Sequence, residues 1–170
     1  MRSMRNYVGY VGYIGYVGKD GNRMVELREV NQANFNDCVV LERKSSLYVG
    51  GAADILAQAY IFRQNSTAYA ICDKDTIVGL VIVRDRPEAD NRYYSFTELF
   101  VADDFLGKGY GNQAVEAILR KFRAEGLRNQ VEIQVHSSNQ IAKKLYENHG
   151  FVKVGAAEWD EGFDVMRVEL

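Results

Sequence analysis

The sequence predicts a single α/β (α+β) domain, and three observations lead there. Length and apolar content suffice for one core, short β-branched runs alternate with segments of helical periodicity, and a polar turn joins two apolar runs into an antiparallel hairpin. The chain has 170 residues, 47% hydrophobic and 26% charged, enough for one domain with a real core and too few for two ordinary ones. From Met24 onward the predicted order is β-α-α-β-β-β-α-β-α-β-β, or about six or seven strands and about four helices.

The first segment stands apart. Tyr7 to Gly18 repeats Tyr-Val/Ile-Gly four times behind Arg2 and Arg5. Glycine at every third position interrupts both the apolar stretch of a signal peptide and the roughly 20 apolar residues of a membrane span. Residues 1–23 therefore read as a non-catalytic extension, either a flexible tail or a vector-derived or mis-started leader. The alternative is an arm laid on a neighbouring subunit, hence a homodimer or assembly element. Gly21 and Asn22 form a turn, and Met24 reads as the native start of a folded domain over residues 24–170.

Residues 24–30 alternate apolar and charged side chains, as a half-buried strand does. Asn31 and Asn34 can cap a helix ending near Lys44, with Phe35, Val39 and Val40 facing inward. Residues 45–51, with Tyr48 and the Gly50-Gly51 pair, form a loop before a helix over about 52–63 that buries Ile55, Leu56, Ala59, Tyr60 and Phe62. Strands at 68–72 and 77–84 flank the Asp73-Lys74-Asp75 turn, and residues 86–91, which hold the only proline, form a surface loop before the strand 92–102. Residues 130–136 form a strand with Val131, Ile133 and Val135 on one face, and 137–149 the last helix, stopped by Gly150. Strands at 151–154 and 165–168 then enclose an acidic loop carrying Glu158, Asp160, Glu161 and Asp164.

A net charge of -2 and a pI near 5.7 argue against a nucleic-acid partner, which needs a basic face. Cys38 and Cys72 form no CxxC pair, so no disulfide framework is implied and a reducing cytoplasm is the expected setting. His136 and His149 have no metal-ligand spacing and read as core or surface histidines, with no metal expected.

Residues 98–123 are the organising stretch: a strand, a break at Asp103-Asp104, three glycines at 107, 109 and 111, then a helix. Ala114, Val115, Ile118, Leu119 and Phe122 form its apolar stripe, opposite Asn112, Glu116, Arg120 and Arg123. Unpaired N–H groups and partial positive charge at such a terminus favour an anion, and glycine lets a phosphate approach the backbone. A GxGxxG loop would need glycine where Asn112 stands, and a GxxxxGK[ST] loop would need Lys-Ser/Thr after its second glycine; neither pattern is met. In the last helix Asn139 and Tyr146 are seven apart, so two turns return them to nearly one face with Ala142 between. They can line a ligand, or Asn139 can be a cap and Tyr146 a core-edge tyrosine.

The glycine loop after a strand, followed by a strand and then Asn-x-x-Ala-x-x-Leu-Tyr-x-x-x-Gly-Phe, resembles the GNAT superfamily of acetyl-CoA-dependent N-acetyltransferases over residues 24–170. The resemblance implies a central mixed, mostly antiparallel twisted sheet, splayed between the fourth and fifth strands. It places the family's Arg/Gln-x-x-Gly-x-Gly/Ala loop on Leu106-Gly107-Lys108-Gly109-Tyr110-Gly111, where Leu106 departs from the pattern. Losing that side-chain contact while keeping the backbone amides implies weakened pyrophosphate binding. Residues 46–60 and 67–83 look like those of bacterial diamine or spermine/spermidine acetyltransferases, which implies a small cationic amine acceptor, such as a polyamine or diamine. It would sit between the 45–51 loop, the start of the fourth strand and the acidic loop.

Acetyl transfer needs a neutral amine, and an alkyl ammonium of pKa near 10 costs about 4 kcal/mol to deprotonate at pH 7. The resemblance implies Glu98 as the first candidate base, with a solvent-facing or substrate-orienting carboxylate as the alternative. Phe100 and Val101 belong to the strand that would pair with the pantetheine arm, and a bulge at Val101 or its neighbour would polarise the acetyl carbonyl through a backbone N–H. Tyr146 is the candidate general acid, with Asn139 and Ala142 orienting the cofactor. An acyl-CoA-binding module without turnover is the rival that Leu106 motivates.

Overall fold

The apolar run at residues 77–83 lacks polar alternation, and such a strand belongs where both faces are covered. In the computed structural model, which describes residues 25–44, 46–85 and 92–170, this strand is β3 (Thr76–Arg84), with Val78, Leu80, Val81, Ile82 and Val83 all buried. It pairs antiparallel with β2 (Thr67–Asp73) across the expected turn. β1 (Glu26–Glu29) joins β2, and β4 (Ser95–Val101) joins β3, giving the order β1-β2-β3-β4. The second antiparallel sheet has the order β5-β7-β6, from β5 (Gln130–His136), β6 (Val152–Ala157) and β7 (Asp160–Glu169).

The sheets meet at Tyr94, which bridges Val131 in parallel. The Tyr94 N–H donates to the Gln130 carbonyl at 3.0 Å, and the Tyr94 carbonyl accepts from Glu132 N–H at 2.9 Å. Beyond this point β4 and β5 part, so the sheet is mixed, mostly antiparallel and splayed between its fourth and fifth strands. The fully buried Tyr94 ring stacks on Phe122 at 4.2 Å, and its hydroxyl accepts from Leu127 N–H at 2.9 Å. α3 (Tyr110–Glu125) lays its whole expected stripe on this junction, against Phe96, Ile133, Phe151 and Met166. On the opposite face of β2 and β3, α1 (Phe35–Val39) and α2 (Ala52–Ile61) bring Cys38, Ile55 and Ala59 onto Ala70, Cys72, Leu80 and Phe100. Cys38 and Cys72 are free thiols, and burial pushes the Cys38 thiol up to about 11. α4 (Gln140–Glu147) packs Leu145 and Tyr146 on the first core.

Several local expectations are corrected. The first helix has five residues, because Asp103 draws the following chain away: its N–H donates to the Glu42 carbonyl, and its carboxylate accepts from Lys44 N–H and pairs with Arg43. Cys38, not Phe35 or Val40, is the inward residue, and Val40 is 70% exposed. Tyr60 and Phe62 are likewise exposed, Tyr60 and Phe35 rimming a hollow of about 680 Å³ with Arg63 and Ser66. The last helix starts at Gln140 instead of 137, after the turns in which Asn139 N–H donates to the His136 carbonyl and Gln140 N–H to that of Ser138. The acidic loop is mostly β7: Asp160, Glu161 and Asp164 lie in the strand, and Asp164 is only 2% exposed. Lys143 of α4 and Lys153 of β6 each approach its carboxylate to 2.6 Å, which fastens α4 to the second sheet. The 1–23 extension, the homodimer built on it, Met24, Ser45 and the 86–91 loop lie outside the described residues.

Two substitutions test this packing by urea denaturation. Phe122→Ala should cost about 3–5 kcal/mol, and Tyr94→Phe about 1 kcal/mol through its lost hydrogen bond. The two lysines hold the Asp164 carboxyl below its ordinary range, so its stabilisation is present above about pH 4 and lost as pH falls through the lower folded value. Asp164→Asn should therefore be less stable than the parent at neutral pH, with the gap narrowing below about pH 4.

Candidate active site

The splay leaves one edge of β4 facing open space between the sheets, since its other edge is taken by β3. Along that strand the ladder is interrupted. Ile82 pairs with Thr97 and Leu80 with Phe100, so Val81 alone stands opposite both Glu98 and Leu99, and Glu98 has a φ of 53°. This is a bulge, and it re-aims the backbone while turning the Glu98 side chain toward the loop before α2. There Glu98 Oε2 accepts from Gly50 N–H at 3.4 Å. The sequence places the bulge near Val101; the register puts it two to three residues earlier, because Phe100 and Val101 pair regularly with Leu80 and Gly79. Gly79 permits that pairing: a Cβ there would lie 2.2 Å from the Phe100 carbonyl oxygen.

After β4 the chain makes a short 3₁₀ turn (Asp103–Phe105) and reaches the glycines. Gly107 and Gly109 have φ of 72° and 81°, a region costly for other residues, and both face open space. Gly109 caps α3, whose first N–H groups have no partner within the helix. Lys108 is turned back, its ammonium donating to the Asp104 carbonyl, and the Tyr110 hydroxyl donates to Asp73 at 2.7 Å. Leu106 is an exposed apolar side chain at the loop mouth. Gly111 lies inside the helix, where a Cβ would meet a Leu145 methyl at 3.5 Å, so its role is helix packing. The loop thus offers backbone amides to an anion, not side-chain charge.

Across the splay stands Tyr146, its ring edge-on to Phe96 at 5.8 Å and tilted against Phe151 at 5.7 Å. Burial, and then the Glu98 carboxylate, hold its phenol well above the ordinary value. Asn139 is the cap of α4, its side-chain oxygen accepting from Ala142 N–H at 3.1 Å. The structure thus brings Glu98 within electrostatic reach of Tyr146 and runs the bulged β4 through a short turn into the glycine loop, while Asn139 and Ala142 are joined to each other at the start of α4. Sequence reasoning missed a cluster that starts two residues from Gly50, the donor to Glu98: the Tyr48 hydroxyl lies 3.1 Å from Ser138 Oγ, which lies 2.8 Å from His136 Nδ1. The His136 ring sits between Tyr48 and Phe163, at 5.3 and 5.2 Å. Its signal was a histidine ending a strand directly before two serines and the helix cap.

The site is thus built on a splayed mixed sheet whose bulged fourth strand runs into a glycine-opened helix. The chain belongs to the acetyltransferase (GNAT) family, whose profile matches residues 26–151. It is 34% identical over 79 residues to YycN of Bacillus subtilis (strain 168), described as an uncharacterized N-acetyltransferase; the match covers 46% of this chain and about half, 49%, of that protein. In fold it is similar to spermidine N-acetyltransferase from Vibrio cholerae, solved with CoA and spermine (TM-score 0.65, 18% identity, 86% of this chain and 95% of that one). The aminoglycoside acetyltransferase AAC(6')-Ib, solved with coenzyme A, superposes with a TM-score of 0.70 at 20% identity over 85% of this chain and 94% of that one. A GNAT-family acetyltransferase from Streptococcus pneumoniae gives 0.65 at 19% identity over 86% and 99%.

The residues present fit such a cofactor, with amides at a helix start for a pyrophosphate and an open strand edge for an amide-bearing arm. Gly109→Ala should lower stability by about 1–2 kcal/mol and weaken acetyl-CoA in calorimetric titration, through positive-φ strain. Gly155→Ala, with open space and no positive φ, should change stability by less than about 0.5 kcal/mol and leave binding alone.

Proposed function

We propose that the protein is an acetyl-CoA-dependent N-acetyltransferase that moves an acetyl group directly to a primary amine within a ternary complex. The observation that carries this reading is the convergence of the β4 bulge, Glu98, Tyr146 and the glycine loop on the splay. Backbone amides of residues 107–111 bind the pyrophosphate, Phe100 and Val101 offer the strand edge to the pantetheine arm, and a backbone N–H next to the bulge polarises the acetyl carbonyl. Glu98, reaching toward the loop before α2, attracts the ammonium form of the acceptor. With its phenol held well above the ordinary value, Tyr146 stays protonated and gives a hydrogen bond to the leaving thiolate in place of complete proton transfer. Leu106 contributes no charge, so binding of the pyrophosphate depends on the loop amides.

A polyamine or diamine acceptor is the finer reading, supported by the resemblance of residues 46–60 and 67–83 and by Glu98. The acidic-loop support narrows, because the Asp164 carboxylate is neutralised by Lys143 and Lys153. Free buried thiols agree with the cytoplasmic setting in this proposal, and no described helix is long and apolar enough to cross a membrane.

The test is thiol release from acetyl-CoA across a panel of diamines, polyamines, amino acids, peptides and aminoglycosides. Transfer to a diamine or polyamine is the expected result. Stabilisation by acetyl-CoA with no turnover on any amine would instead establish the acyl-CoA-binding module. Within the enzyme reading, Tyr146→Phe should lower kcat by about 10-fold to 1000-fold with little change in acetyl-CoA affinity, and an unchanged kcat removes Tyr146 from the mechanism.

A further inference from the structure

Amine acetylation leaves one task that the roles proposed above do not assign, since Glu98 is there given the substrate-orienting role and not that of base. The ammonium must lose a proton before it attacks the thioester, yet Glu98 stabilises the charged form and so opposes that loss. Tyr146 keeps its own proton and faces the thiolate. The acceptor side of the splay needs a separate proton route.

Such a route is visible in the loop facing Glu98. Gly50, which donates to Glu98, is two residues from Tyr48, whose hydroxyl meets Ser138 Oγ at 3.1 Å. Ser138 Oγ lies 2.8 Å from His136 Nδ1, and the Ser138 backbone N–H also points at that nitrogen from 3.3 Å. A backbone N–H can only donate, so Nδ1 is an acceptor and neutral His136 carries its proton on Nε2. Ser138 therefore donates its hydroxyl proton to Nδ1 and accepts from the Tyr48 hydroxyl. The direction of the chain is fixed as Tyr48 to Ser138 to His136. This leaves the phenol oxygen of Tyr48 with lone pairs directed away from Ser138, on a side chain 44% exposed at the opening. The rings of Tyr48 and Phe163 hold the imidazole from two sides, and Ser46 Oγ gathers the N–H groups of Tyr48 and Val49, so the loop is pre-shaped.

Resting on the acetyltransferase reading, we propose that Tyr48, Ser138 and His136 form a proton relay that deprotonates the acceptor ammonium. One ammonium N–H bond breaks and its proton joins the Tyr48 oxygen as the Tyr48 proton passes to Ser138 Oγ. The Ser138 proton passes to His136 Nδ1, giving an imidazolium whose net proton is lost to water; exchange with water returns the ring to its Nε2–H form and the two hydroxyls rotate back, which resets the relay. No electrons change hands, and the amine nitrogen gains the free lone pair that attacks the acetyl carbon. Tyr48 is the catalytic member, touching the acceptor; Ser138 and His136 act through it.

The experiment compares kcat/KM for the best alkylamine of the panel with that for the alkoxyamine of equal chain length, which is already neutral at neutral pH. Ser138→Ala and His136→Gln should each lower kcat/KM for the alkylamine by about 10-fold to 100-fold and for the alkoxyamine by less than about 3-fold. Acetyl-CoA should stabilise both variants as it does the parent, which verifies folding and cofactor binding. Added imidazole should restore alkylamine turnover to His136→Ala. Equal losses on both acceptors would make the cluster merely structural, and no loss on either would remove it; both results overturn the relay while leaving the acetyltransferase intact. Failure of the parent protein to acetylate any amine overturns the functional reading and the relay with it.

Discussion

Tyr94 is the constraint on which the rest of the structure depends. Its two main-chain hydrogen bonds join β4 to β5 at one point, and its ring and hydroxyl fasten that point to Phe122 and Leu127. Two twisted sheets joined at a single residue must diverge beyond it. The opening is thus a product of packing at its closed end, and α3, which supplies Phe122, also supplies the glycine-opened N-terminus at its other end. One helix fixes both the width of the splay and the position of the amides beside it.

The bulge at Glu98 adds the second constraint. Placing two residues of β4 against Val81 shifts the strand out of register without breaking its pairing, because Gly79 lets β3 and β4 approach closely on the far side. A strained φ at a carboxylate beside the opening is a local cost that the surrounding sheet over-determines, and such strain clusters at functional sites. Asp164, held by Lys143 and Lys153, does the corresponding work for α4 and so for Tyr146.

What was legible in the residues followed from periodicity and backbone freedom. The α3 stripe and the three alternating valine and isoleucine positions of β5 each have a period that only one element satisfies, while the unbroken apolar run of β3 was readable from its β-branched residues, its short length and the turn before it. Gly107 and Gly109 were readable because glycines without Cβ at a helix start let an anion approach the backbone, and the structure adds that both have positive φ. What was not legible is long-range. Asp103 ends α1 from some sixty positions away, Tyr48 meets Ser138 across ninety, and the bulge falls on a glutamate whose residue type carries no positive-φ signal. Asp164 was misplaced because acidic density reads as a loop, while its burial depends on lysines from two other elements.

The central claim is that acetyl-CoA lies in the splay, paired to the β4 edge with its pyrophosphate on the glycine loop. Amide hydrogen exchange with and without acetyl-CoA tests this directly. Protection gained at residues 98–101 and 107–111 together is the predicted result. Protection confined to the hollow between α1, α2 and β2, with the β4 edge unchanged, would contradict it.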